Sequence, residues 1–121
     1  MKRFIIIFAV LVFVASPAFA FSPSEPAQSS GEKTADATIL SGAGYFKQIV
    51  IMPDGSNDVT VSIYDNTASS GTEILPTLTF AGDGGPQASP PVWVNVNTGI
   101  RVDVTVAGGG TVAYTVLYRS R

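Results

Sequence analysis

Residues 100–118 read Ile100-Arg101-Val102-Asp103-Val104-Thr105-Val106, then Ala107-Gly108-Gly109-Gly110, then Thr111-Val112-Ala113-Tyr114-Thr115-Val116-Leu117-Tyr118. In the first segment Val102, Val104 and Val106 share one face, and Arg101, Asp103 and Thr105 share the other. Successive side chains of a strand point to opposite faces, so this alternation specifies a half-buried β-strand. The second segment is again rich in Val, Thr and Tyr, which suit a pleated surface. Three glycines lie between them, and the expectation is a β-hairpin.

The same grammar extends upstream. Asn57 to Asp65 alternates, with Val59, Val61 and Ile63 on one side and Thr60, Ser62 and Tyr64 on the other. Ala37–Ser41 and Tyr45–Met52 read as strands, the second stopped by the turn signal Pro53-Asp54-Gly55. Thr72–Phe80 contains Pro76, which restricts it to an edge or a bulged strand. Ala81–Pro91 is a Gly/Pro-rich loop, and Val92–Val96 is a further short strand. Beyond residue 20 no stretch places apolar residues at helical spacing. About seven short strands at close spacing predict an all-β antiparallel β-sandwich, jelly-roll-like or Ig-like, over residues 37–121. The expected core is Ile39, Phe46, Ile49, Ile51, Val59, Val61, Ile63, Leu78, Val94, Val102, Val104, Val116 and Leu117.

Ahead of this body the composition changes twice. Residues 1–20 have the layout of a secretory signal peptide. Lys2 and Arg3 precede an apolar run from Phe4 to Val14, and Ala18-Phe19-Ala20 is a small-x-small cleavage site. The run is eleven residues, short of the roughly 20 that cross a bilayer as a helix. Cleavage after Ala20 is expected, with a retained anchor as the other reading. The expected address is therefore periplasmic, cell-surface or extracellular, with no stable membrane insertion once the segment is removed. Residues 21–36, FSPSEPAQSSGEKTAD, hold no aliphatic residue larger than Ala and read as a disordered arm or linker.

From Phe21 onward the basic residues are Lys33, Lys47, Arg101, Arg119 and Arg121, against nine acids. An acidic balance argues against a nucleic-acid partner, which needs clustered Lys and Arg. There is no Cys and no His. That removes disulfides, His and Cys metal ligands and the usual nucleophile–His arrangements. No cofactor is expected. Without disulfides a domain of this size has a limited core, which makes protein partners or self-association an expectation.

Three constellations remain. Asp54-Gly55-Ser56-Asn57-Asp58 has oxygen ligands at alternating positions, which makes Asp54, Asn57 and Asp58 candidate ligands for a hard cation. A hairpin turn accounts for the same residues. Trp93 and Tyr64 would form an aromatic platform for a surface glycan or a protein if both faced solvent together, whereas a second sheet packed over them, which a sandwich needs anyway, is the favoured reading. Asp65, Asp83 and Asp103 are conceivable members of a glycosidase carboxylate pair, although no spacing selects two of them.

The run Asn57-Asp58-Val59-Thr60-Val61-Ser62-Ile63-Tyr64-Asp65-Asn66-Thr67, followed by Ser70-Gly71-Thr72, resembles a phrase of small phage and prophage structural-type proteins. Those chains close on a hairpin similar to Gly99–Val106 and Thr111–Tyr118. The resemblance implies a compact β-sandwich without catalysis, built into or onto a virion or a surface assembly. The export segment departs from that pattern and points to a secreted or surface-attached relative. The expected function is an exported, non-enzymatic structural or interaction module. A carbohydrate-binding module is the alternative, and a secreted hydrolase is a third reading.

Overall fold

The structure, a computed structural model, describes residues 27–121. The signal segment, its cleavage site at Ala18 and Ala20, and the first part of the arm lie outside the described residues. Nine strands follow in chain order: β1 (Gln28–Ser29), β2 (Ala37–Ser41), β3 (Gly44–Pro53), β4 (Val59–Tyr64), β5 (Leu78–Phe80), β6 (Gln87–Ala88), β7 (Val94–Val96), β8 (Gly99–Val106) and β9 (Val112–Ser120). They form two antiparallel sheets packed face to face, a β-sandwich. Sheet A has the order β1-β9-β3-β6, with β7 also on β3, and sheet B has the order β2-β8-β4-β5.

The expected hairpin at the C-terminal end is not formed. β8 belongs to sheet B and β9 to sheet A, so residues 107–111 cross from one layer to the other. The turn at 54–58 likewise joins β3 of sheet A to β4 of sheet B and is not a hairpin. Alternation states only that each strand has an apolar face. That face can be buried by a strand opposite in the other sheet as well as by a shared inner surface. Here Val102 of β8 looks across at a sheet carrying Val112, Tyr114 and Val116 of β9. Gly108 and Gly109, at φ of 64° and 73°, supply the left-handed backbone that the crossing needs.

The core is Phe46, Ile49, Ile51, Val96, Val112, Tyr114 and Val116 from sheet A, against Val59, Val61, Ile63, Phe80, Ile100 and Val102 from sheet B. Ile39, Leu78, Val94 and Val104, expected at the centre, pack at its margin. Leu117 points away from it, because strict alternation on β9 gives the inward positions to Val112, Tyr114 and Val116. Phe80, Val96, Ile100, Val112 and Tyr114 take the places left open in the expected core.

Two strands exceed the seven expected. β6 emerges inside the Gly/Pro-rich loop as part of a chain segment that follows β3. Ser89 donates its N–H to the Ile49 carbonyl at 3.0 Å and accepts the Ile49 N–H on its Oγ at 3.0 Å. Val92 donates to the Lys47 carbonyl before β7 takes over at Gly44–Phe46. Pro90 and Pro91 interrupt this run, which leaves sheet A with a short, broken edge that cannot template further pairing. β5 is likewise an edge strand of sheet B and begins only after Pro76, as the proline requires.

The other added strand lies in the segment read as a free arm. Gln28 and Ser29 pair with Tyr118 and Leu117, and Lys33 exchanges both backbone hydrogen bonds with Tyr114 at 2.8 Å. Residues 34–36 then cross to sheet B, where Asp36 Oδ1 accepts the Val104 N–H at 2.8 Å. The attachment runs through backbone groups and small polar side chains, so a composition poor in aliphatic residues does not prevent it.

Candidate functional site

Four of the acidic residues named from the sequence, Asp54, Asp58, Asp65 and Asp103, are engaged by other groups of the fold. Asp54 Oδ1 accepts the N–H groups of Ser56 and Asn57, both at 2.9 Å. Its Oδ2 accepts Asn57 Nδ2 at 2.8 Å and the Thr111 N–H at 3.0 Å. These donors, the Asn57 side chain first, hold its carboxyl far below the usual carboxylate range. Asp58 Oδ1 accepts the Gly82 N–H at 2.9 Å. Asp54, Asn57 and Asp58 thus tie three loops together at one end of the sandwich. Both Asp54 oxygens and Asp58 Oδ1 accept from internal donors, as in turn chemistry. Among the described residues no three acidic side chains gather where they could hold a metal ion.

Asp65 does the corresponding work at the far end of β4. Its carboxylate accepts the N–H groups of Asn97, Thr98 and Gly99 at 2.8–3.3 Å and so clamps the turn between β7 and β8. Burial alone would raise its pKa, but the Thr98, Asn97 and Gly99 donors outweigh burial and lower it. Asp103 pairs with Arg101 Nε at 2.9 Å on the outer face of sheet B. Asp83 sits in the loop beside Asn57, at the end of β4 opposite Asp65. The three carboxylates considered for hydrolysis therefore occupy three separate regions, and no two of them share a cleft.

The paired aromatic platform is also divided. Tyr64 ends β4 and faces outward from sheet B, opposite Arg101 and Glu73. Trp93 lies beside β3 in sheet A, so the two rings are on opposite surfaces of the sandwich. Trp93 has a different aromatic partner. The Tyr45 ring lies edge-on to it, with centroids 6.4 Å apart and planes at 89°. Lys47 Nζ is 5.3 Å from the Trp93 ring centre. The guanidinium carbons of Arg119 and Arg121 are 5.8 and 5.2 Å from the Tyr45 ring centre. Arg121 also donates to Asn95 Oδ1.

Strand pairing builds this cluster. Tyr45 is directly opposite Asn95 on β7 and Arg119 on β9. Trp93 precedes β7, next to the outward positions of β3. The exposed large apolar side chains are Val50 and Met52, farther along β3, and Val92 and Trp93 on the neighbouring segment. Trp93 is 49% exposed, a large fraction for the chain's single tryptophan.

Charge is segregated in parallel. The stretches 44–53 and 112–121, which hold the central strands β3 and β9, and the edge segment 87–96 contain no Asp or Glu, whereas Glu32, next to the other edge, lies beside Val50 and Met52. These acid-free stretches contain Lys47, Arg119 and Arg121, three of the five basic residues beyond residue 20. Sequence reasoning named Trp93 but missed Tyr45, Lys47, Arg119 and Arg121, which meet only through pairing between strands some 70 residues apart. The readable signal was the absence of acids from four strands, β3, β6, β7 and β9, of an acidic chain.

An open groove of about 860 Å³ lies elsewhere, where residues 34–36 cross between the sheets. Val104, Val106, Val112 and Met52 line it, and its two carboxylates, Asp36 and Asp54, are both engaged by backbone N–H groups. Among the described residues no helix is long and apolar enough to cross a membrane. No protein-family model, curated protein or solved structure matches the chain.

Proposed function

We propose that the protein is an exported, non-enzymatic interaction module whose recognition surface is the outer face of sheet A around Trp93. One observation carries this reading: the half-exposed Trp93 stands edge-on to Tyr45 on the outer face of sheet A, with the exposed Val50 farther along the same strand as Tyr45. Large exposed apolar groups gathered on one face mark an interaction site more often than scattered ones do. The internal engagement of Asp54, Asp58 and Asp65 supports a scaffold role for the carboxylates. The resemblance to phage structural-type proteins fits a module of this kind, docked on a virion or a surface assembly.

A carbohydrate-binding role is the second reading, favoured by the exposed indole. Retention of the full chain on cell-envelope and virion fractions tests the main proposal. Trp93→Ala should reduce retention, and Tyr64→Ala, on the opposite face, should leave it unchanged. Equal retention of both variants and the parent chain would place the recognition surface elsewhere.

A further inference from the structure

We infer that the outer face of sheet A binds an anionic polysaccharide, one that carries carboxylate or sulfate groups along its chain. The inference rests on that face being the recognition surface, and it adds the ligand's chemistry.

Three facts point to a negatively charged ligand. The central strands of sheet A are free of acids, in a sequence whose acids otherwise outnumber its bases. Lys47, Arg119 and Arg121 all converge on two aromatic rings. The Asn95 side chain further orients Arg121. Cations already held over rings lose less freedom when an anion arrives, so the surface is partly pre-organised.

The geometry also favours a repeating saccharide over a single small anion. Lys47, Trp93, Tyr45 and Arg121 follow one another at steps of 5.3, 6.4 and 5.2 Å, two rings with a cation at each end. A polymer that lays C–H faces on the two rings and presents anionic groups to the flanking cations matches that order. Farther along β3, Val50 and Met52 lie beside Glu32, so the anionic chain is expected at the Trp93 end of the face. The surface is a flat sheet with few cations, whereas single-stranded nucleic acid is usually held in a longer basic channel.

The single tryptophan makes the test direct. The full chain is titrated with polygalacturonate, heparin and neutral dextran while Trp93 fluorescence is followed, with calorimetry for variants that lack the indole. Both anionic polymers should perturb the fluorescence, and dextran should not. Raising salt from about 0.1 to about 1 M, which shortens the screening length from about 10 to about 3 Å, should weaken binding strongly. Lys47→Ala and Arg121→Ala should each weaken it about tenfold, the loss of one charge-assisted contact, with circular dichroism unchanged.

The ligand class is overturned if neither anionic polymer binds, or if a Lys47→Ala/Arg121→Ala variant binds as tightly as the parent chain. Dextran binding that depends on Trp93 overturns the anionic class but leaves the face as the recognition surface. Polymer binding indifferent to Trp93→Ala overturns both. Tighter binding of poly-glutamate or single-stranded DNA, or salt-sensitive association of the chain with itself through Arg121, reassigns the face to that partner and overturns the saccharide.

Discussion

Tyr114→Phe tests how the two sheets are joined. Tyr114 is 2% exposed, and its hydroxyl donates to the Ala35 carbonyl at 2.6 Å, which pins the segment crossing between the layers. Deleting the hydroxyl removes one hydrogen bond and should cost about 1 kcal/mol at neutral pH. Burial, and then the charge of Asp36, push the phenol up from 10.0 to about 12. Between those values the unfolded chain ionises while the folded chain does not, so the unfolded state binds fewer protons and stability falls as pH rises. The full two-unit window is worth about 3 kcal/mol, and about half of it is gone near pH 11. Below pH 10 this contribution is constant. The phenylalanine variant lacks the titration. The parent chain should therefore lead at neutral pH and fall behind the variant at about pH 11. Urea unfolding followed by far-ultraviolet circular dichroism at several pH values measures the difference, in which the titrations common to both proteins cancel. A stability difference that stays constant from about pH 8 to about pH 11.5 would refute the reasoning.

Other expectations follow from the loops and the core. Gly82 is buried, and a Cβ there would fall on the backbone of Asn57, whereas at Gly84 it would meet only the movable end of Gln87. Gly82→Ala should destabilise by about 1–3 kcal/mol and Gly84→Ala by much less, as thermal unfolding would report. Asp65→Ala leaves the Asn97, Thr98 and Gly99 N–H groups without their acceptor and should cost about 1–2 kcal/mol. Because the Asp65 pKa is lowered in the folded chain, its contribution is present above the ordinary carboxylate pKa and is lost as pH falls through the folded value. The gap between parent and variant in urea titrations should therefore narrow in acid. Val61→Asp buries a carboxylate at a site 1% exposed, at a cost of several kcal/mol against a total of about 5–15. Val104→Asp, at the half-buried margin beside the groove, should retain more folded protein in a solubility and circular-dichroism comparison.

Alternation identified the longer strands and most of their faces, but not β1, β6 or the outward position of Leu117. Ala37–Ser41 was legible to the residue, and Val59, Val61 and Ile63 were correctly placed inward. Pro76 restricted its segment to an edge, where β5 lies. These are local properties, set by side-chain period and backbone chemistry within a few residues. The pairing partner is not a local property. A five-residue connection rich in glycine permits a hairpin within one sheet or a crossing between two, and residues 107–111 cross because β8 and β9 bury their apolar faces from opposite layers. The same limit explains the aromatic residues. Trp93 was visible as the chain's single indole, but its neighbours Tyr45, Lys47, Arg119 and Arg121 are assembled by the register of β3 against β7 and β9. Period and composition determined that this chain folds into strands with one apolar side. Only the tertiary structure decided which strands are neighbours, and therefore which outward side chains form a surface.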